Sequence, residues 1–185
     1  MIEPNPHAYA VVLAGGHGER FWPASTMARP KQLLDLLGER TMLEMAVDRL
    51  EGLIPTERVI VITGADLVAA TVDRSPDLPA GNIIGEPFRR DTAAAVALAC
   101  AVVRARDPEG VFCVVAADHV MGDLDRFRET LHEALSLAAS ENVLITIGIA
   151  PTHPATGYGY IENGDELATD GSVCFRRVER FVEKP

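Results

Sequence analysis

The sequence predicts an α/β protein, with a mostly parallel but mixed central sheet covered by helices on both faces. Three observations carry the prediction. Short apolar, β-branched runs recur along the chain, and the segments between them place apolar residues at helical spacing. Strand and helix therefore alternate from residue 8 to residue 149, while the final third is richer in strand. At 185 residues, with 48% hydrophobic and 24% charged residues, the chain also has the size and composition of one ordinary globular domain.

Each element follows from a local signal. "AYAVVLAGG" is a buried strand stopped by two glycines. A loop containing Pro23 and Pro30 follows, and then Thr41 and Glu44 form a capping-box pattern that opens a helix. Leu43, Val47, Leu50 and Leu53 or Ile54 mark one face of that helix. "RVIVITG" is a second strand, Asp66 to Asp73 a helix ending before Pro76, and "NIIGEP" a short third strand. Asp91 is the expected N-cap of a buried helix in "FRRDTAAAVALACAVVRAR", whose last turn carries two arginines where cations suit the helix dipole. "VFCVVAAD" is the fourth strand. Phe127, Leu131, Leu135 and Ala138 mark the next helix, "NVLITIGI" the following strand, and "GYGYIE" and "VCFRRVERFVEKP" the last two.

Composition excludes several classes. No apolar run approaches the roughly 20 residues of a membrane-spanning helix, and "MIEPNPHAYA" lacks the basic and long apolar regions of a secretory signal. The expectation is a cytoplasmic protein with no membrane partner. Cys100, Cys113 and Cys174 are widely spaced, so they read as reduced, mostly buried thiols rather than a disulfide or zinc framework. A net charge of −10 argues against general nucleic-acid binding, which needs Lys and Arg to neutralise phosphates.

Against that acidic background, "LAGGHGERFWPASTMARPKQLL" stands out. Glycines after a strand let backbone N–H groups approach an anion without a Cβ in the way, and Arg20, Arg29 and Lys31 follow closely. Arg20 can grip phosphate oxygens with two nitrogens, and Lys31 supplies a compact charge. The loop is neither a GxxxxGK[ST] loop nor a dinucleotide fingerprint, since Phe21 stands where the third glycine belongs and prolines follow. Open parallel sheets bind ligands at the carboxyl ends of their strands. Here three such ends carry unusual chemistry: the glycine loop, Glu86-Pro87 and Asp118. Asp118, leaving a buried strand, is either a hard oxygen ligand for Mg²⁺ or a cap for the next turn. His119 reads as structural.

In this order the residues resemble the nucleotidyltransferases that make sugar nucleotides. The signature LAGG-x-G-x-R, then a proline, then PK, stands here as "LAGGHGER", Pro23 and "RPKQ". "RFWPAS" and "EPFRRDTAAA" resemble the guanylyl subgroup in particular, and "TGYGYIE" and "FVEKP" are similar to the segments that bind the sugar and its phosphate. Arg89 and Asp91 depart from the pattern, standing where Gly and Asn are usual.

The resemblance implies a three-layer α/β/α Rossmann-like fold and transfer of GMP from GTP to mannose 1-phosphate, with Mg²⁺ as cofactor. By matching positions, Leu13, Ala14, Gly15 and Gly16 would hold base and ribose, and Gly18 and Arg20 would lie near the triphosphate. Lys31 would contact the reacting phosphates and Asp118 would bind Mg²⁺. Glu86, Pro87, Arg90 and Thr92 would line the guanine side; Gly159, Glu183 and Lys184 would take the hexose and its phosphate. Arg20, Lys31 and Asp118 form the expected catalytic set. Residues 1–185 would then be the front of a catalytic domain that continues past EKP, where family members carry a second metal-binding Asp. A homodimer is compatible with this reading. The alternatives are a non-catalytic module that binds a nucleotide sugar, or transfer to a different hexose 1-phosphate.

Overall fold

β1 (Ala8–Leu13) runs through the middle of a four-stranded sheet of order β3-β2-β1-β4, with β2 at Val59–Gly64, β3 at Ile83–Glu86 and β4 at Val111–Ala116. The computed structural model describes residues 5–15, 22–25, 30–35, 38, 40–88, 90–167 and 171–184. All three pairings are parallel; Val12 sits level with Val61 on one side and Val115 on the other. Parallel strands buried on both faces need apolar residues throughout rather than an alternating pattern, as "AYAVVL" and "VIVIT" supply.

The period of two sends alternate side chains to opposite cores. Ala8, Ala10, Val12, Val59 and Val61 pack with Leu43 and Leu50 of the α1 region (helix Met42–Asp48) and with Leu131 and Leu135 of α4 (Leu124–Ser140). Val68 and Val72 of α2 (Val68–Arg74) join this side. On the other face, Tyr9, Val11, Ile60 and Ile62 meet Ala95, Ala99 and Val103 of α3 (Asp91–Arg106). The result is the three-layer α/β/α architecture predicted from the alternation. The antiparallel pairing of the final third is a separate two-stranded ribbon, β5 (Tyr160–Leu167) against β6 (Phe175–Val182).

Helix starts depend on local satisfaction of free N–H groups. At α1 the Glu44 N–H donates to Thr41 Oγ1 at 3.2 Å and the Thr41 N–H donates to Glu44 Oε2 at 2.7 Å, completing the predicted capping box. At α4 the Arg126 N–H donates to Asp123 Oδ1 at 2.9 Å.

Four expectations are corrected. Asp91 does not cap α3: it is the first helical residue with φ 61°, and Arg90 occupies the cap without a side-chain hydrogen bond. The helix therefore begins one residue earlier than the capping pattern predicts, with Asp91 inside it in the left-handed region. α3 is not buried all round, because it covers one sheet face with only Ala95, Ala99 and Val103 buried. Cys100 and Cys174 are free but exposed. Cys113 packs against the core and its thiol is pushed up to about 12 by burial. Finally, "NVLITIGI" forms no strand, and Leu144 and Ile149 lie exposed. A strand needs a ladder to satisfy its backbone, and among the described residues β4 pairs only with β1, on one edge.

Candidate active site

The order of the strands reverses between β1 and β4, since the chain goes from β1 to β2 and β3 on one side and returns to place β4 on the other. The carboxyl ends at that point form the crevice where such sheets take ligands. The residues following β1 stay latched to both neighbours: the Ala14 N–H donates to Ile62 O at 2.8 Å, and the Ala117 N–H donates to Leu13 O at 3.1 Å. Leu13, Ala14 and Ala117 are thereby level at this edge.

The Ala14 carbonyl accepts from Gln32 Nε2 at 2.6 Å and from Thr63 Oγ1 at 3.1 Å. That carbonyl is therefore tied down twice, directly before Gly15. A Cβ at Gly15 would lie 3.8 Å from Glu86 Oε2, so the glycine loop starts directly beside the buried Glu86 carboxyl at the end of β3. Pro87 and Arg90 are exposed ahead of α3, and the exposed Thr92 is its second residue.

Across the crevice, a single 3-10 turn at Lys31–Leu33 presents Lys31, and the residue two beyond the end of β4 is Asp118. Lys31 Nζ donates to Asp118 Oδ2 in a half-buried ion pair. Burial pushes the Asp118 carboxyl up, but the hydrogen bond and charge of Lys31 outweigh it and hold the group below the ordinary carboxylate range. The structure thus joins two of the three residues expected to be catalytic. The third, Arg20, lies outside the described residues, as do Gly16, Gly18, Arg29 and Arg89.

Gly159, Glu183 and Lys184 gather elsewhere, at one end of the ribbon. A Cβ at Gly159 would lie 3.4 Å from Val182 O, and Lys184 pairs with Glu183 at 3.9 Å. Among the described residues no hydrogen bond or ion pair joins this group to Lys31 or Asp118. A cavity of about 690 Å³ lined by Pro6, Asp48, Arg58, Val59 and Ser75 lies at the amino ends of the strands, away from all of these residues.

Sequence reasoning assigned no role to Gln32, Thr63 or Arg49. Gln32 is part of the quoted "PKQ", and only the fold shows that its amide holds Ala14. Arg49 is 3% exposed and donates from Nη1 to His119 O at 2.7 Å and from Nη2 to Ala116 O, while its guanidinium lies 5.6 Å from the centre of the Phe127 ring. Burial pulls the Arg49 pKa below its ordinary value, and the neighbouring Asp118 charge partly opposes that. Nothing in the sequence distinguishes it from a surface arginine at a helix end.

Gly15 beside the buried Glu86, and the Lys31–Asp118 pair, both lie at the carboxyl ends of a parallel sheet near its reversal point, the arrangement of an α/β protein with its site at the strand ends. The chain belongs to the nucleotidyl transferase family, whose model matches residues 9–185. It is 41% identical over 181 residues to the mannose-1-phosphate guanylyltransferase of Escherichia coli (strain K12), covering 96% of this chain and 37% of that protein. It is likewise 41% identical over 179 residues to mannose-1-phosphate guanylyltransferase RfbM of Salmonella typhimurium (strain LT2), covering 95% and 36%. A solved structure from Thermus thermophilus, described as mannose-1-phosphate geranyltransferase, superposes with a TM-score of 0.82 at 39% identity, over 97% of this chain and 50% of that one. The chain spans a little over a third of the length of the curated relatives it matches, 37% and 36% for these two.

Proposed function

We propose that this chain carries the nucleotide-binding half of a guanylyltransferase that moves GMP from GTP to mannose 1-phosphate, yielding GDP-mannose and pyrophosphate. The observation that carries the reading is the convergence of Gly15, Glu86, Lys31 and Asp118 on one crevice. The relatives' names supply the base and the sugar.

A sugar phosphate is already an anion, so its attack on the α-phosphorus needs no strong general base. What it needs is in-line placement and relief of charge repulsion. An oxygen of the sugar phosphate forms a bond to the α-phosphorus as the bond to the β-phosphate oxygen breaks, and pyrophosphate leaves with that electron pair. Lys31 turns its ammonium from Asp118 to the phosphates in this scheme, and Arg20 grips their oxygens. Leu13, Ala14, Gly15, Gly16 and Gly18 hold the nucleoside and phosphates through the backbone. Glu86, with Pro87, Arg90 and Thr92 beside it, reads the N–H edge of guanine. Gly159, Glu183 and Lys184 receive the hexose phosphate.

The donor chemistry also fits a divalent cation. No group of three or more His, Cys, Asp or Glu side chains able to hold a metal occurs among the described residues. Among the described residues, Asp118 is the carboxylate that would hold the ion, and phosphates and water would supply further oxygens, as Mg²⁺ prefers. When bound, the ion supplies charge relief at the phosphates. A cytoplasmic setting, and assembly as a homodimer, belong to the same reading.

The test is isothermal titration of the chain with GTP, ATP and dTTP, with and without Mg²⁺, beside a pyrophosphate-release assay with mannose 1-phosphate. Selective GTP binding with release supports the full reading. Selective binding without release confines it to nucleotide binding, and the absence of a guanine preference overturns it. Release with another hexose 1-phosphate instead of mannose 1-phosphate would correct the sugar.

A further inference from the structure

Arg49 ends α1, yet its side chain works at the far end of β4. Its two terminal nitrogens donate to Ala116 O and His119 O, the carbonyls on either side of the Ala117-Asp118 pair. α4 completes the grip: Phe127 stacks on the guanidinium, and Arg128 donates from Nε to Arg49 O at 3.0 Å and from Nη2 to Asp48 O at 3.2 Å. Arg49, at the end of α1, is therefore also held by α4.

Packing alone does not call for such a residue. A buried cation carries a desolvation penalty that an apolar side chain of similar size avoids. No carboxylate hydrogen-bonds to Arg49 among the described residues, and its Nε has no partner at all. A planar fork offers something neither Lys nor an apolar residue can: two carbonyls, three residues apart in sequence, held in one fixed relation. The residue between them that leaves the sheet is Asp118.

We infer that Arg49 is a positioning residue: it fixes the turn Ala116–His119 so that the Asp118 carboxylate faces the β1–β4 crevice even when Lys31 has left it for a phosphate. This rests on the reading of Asp118 as the group that meets a metal–nucleotide complex. Lys31 holds the Asp118 carboxylate, and Arg49, from the core, holds the carbonyls on either side of it. When the first contact is exchanged for ligand, the second keeps the geometry.

The experiment measures GTP affinity of the chain with Mg²⁺ and in EDTA, for the wild type, Asp118→Asn, Arg49→Met and Arg49→Lys, each with a thermal melt. The quantity of interest is the gain in affinity on adding Mg²⁺. Arg49→Met is expected to erase roughly tenfold or more of that gain, as losing support for a metal-facing group does, while GTP affinity in EDTA stays within about twofold. Arg49→Lys keeps the charge and one hydrogen bond, so it should fold and recover part of the gain. If Arg49→Met does not fold, Arg49→Lys decides: a gain equal to wild type overturns the inference. A wild-type gain in folded Arg49→Met, with Asp118→Asn abolishing it, overturns the inference alone. No gain in the wild type, or a full gain in Asp118→Asn, overturns the reading of Asp118 and the inference with it.

Discussion

Lys31 and Asp118 stand 87 residues apart in the chain, and the fold joins them as an ion pair across the end of β1 and β4. Lys31 sits on a 3-10 turn after the glycine segment, and Asp118 on the turn leaving β4. Each neutralises the other until an anion or cation competes for one of them. Lys31→Ala should weaken GTP binding roughly 10–100-fold, the worth of a hydrogen bond to a charged group in a desolvated site. Calorimetry reads this directly, and an affinity within a few-fold of wild type removes Lys31 from the phosphates. Stability should change less than binding, since the pair remains partly open to solvent.

His7 and Asp107 make a second long-range pair, His7 Nδ1 to Asp107 Oδ2 at 2.8 Å, tying the residue before β1 to the turn before β4. The hydrogen bond to His7 is the main cause holding the Asp107 carboxyl below its ordinary value of 3.8. A carboxyl depressed on folding binds fewer protons folded than unfolded, so its contribution is present above 3.8 and fades as the pH falls through the lower folded value. Urea midpoints of Asp107→Asn should thus fall below wild type well above pH 3.8, and the gap should shrink as the pH is taken below that value. A gap that widens in acid contradicts the assignment.

Asp91 opens α3 at φ 61°, a conformation that asks little of Asp, Asn or Gly and more of residues branched at Cβ. Asp91→Asn and Asp91→Gly are expected to leave stability nearly unchanged, whereas Asp91→Val should cost about 1–2 kcal/mol by chemical denaturation. Equal effects of Asn and Val would mean that the backbone here is not what selects the residue. Because α3 starts shortly after Glu86 in the chain, the Val variant should weaken GTP binding too.

The outer edge of β4 pairs with no strand among the described residues, and Leu144, Ile147 and Ile149 further along the chain are exposed to 102%, 45% and 86%. Unpaired backbone beside exposed apolar residues invites edge-to-edge association. Sedimentation velocity on the 185-residue chain is expected to show concentration-dependent self-association. Replacing Leu144 and Ile149 by Lys should suppress it without lowering the melting temperature. Unchanged association would point to another surface.

Much of this was legible in the chain because it is locally encoded. The apolar runs of β1 to β4 and the Thr41–Glu44 box act within a few residues, so periodicity and capping chemistry identify them without any partner. That Glu86 and Asp118 stand at strand ends was legible too, since a parallel sheet brings its carboxyl ends to one edge. "NVLITIGI" shows the limit. Its composition is that of a strand, but a strand is a pairing, and composition does not supply the neighbour. α3 shows another: its uniformly apolar surface predicted burial, while only the sheet's layout decides which face is covered. Lys31 meeting Asp118, Gln32 holding Ala14 and Arg49 reaching past Asp118 were decided by tertiary structure alone. These contacts span 87, 18 and up to 70 residues of chain, and nothing in a local pattern encodes the register that closes them.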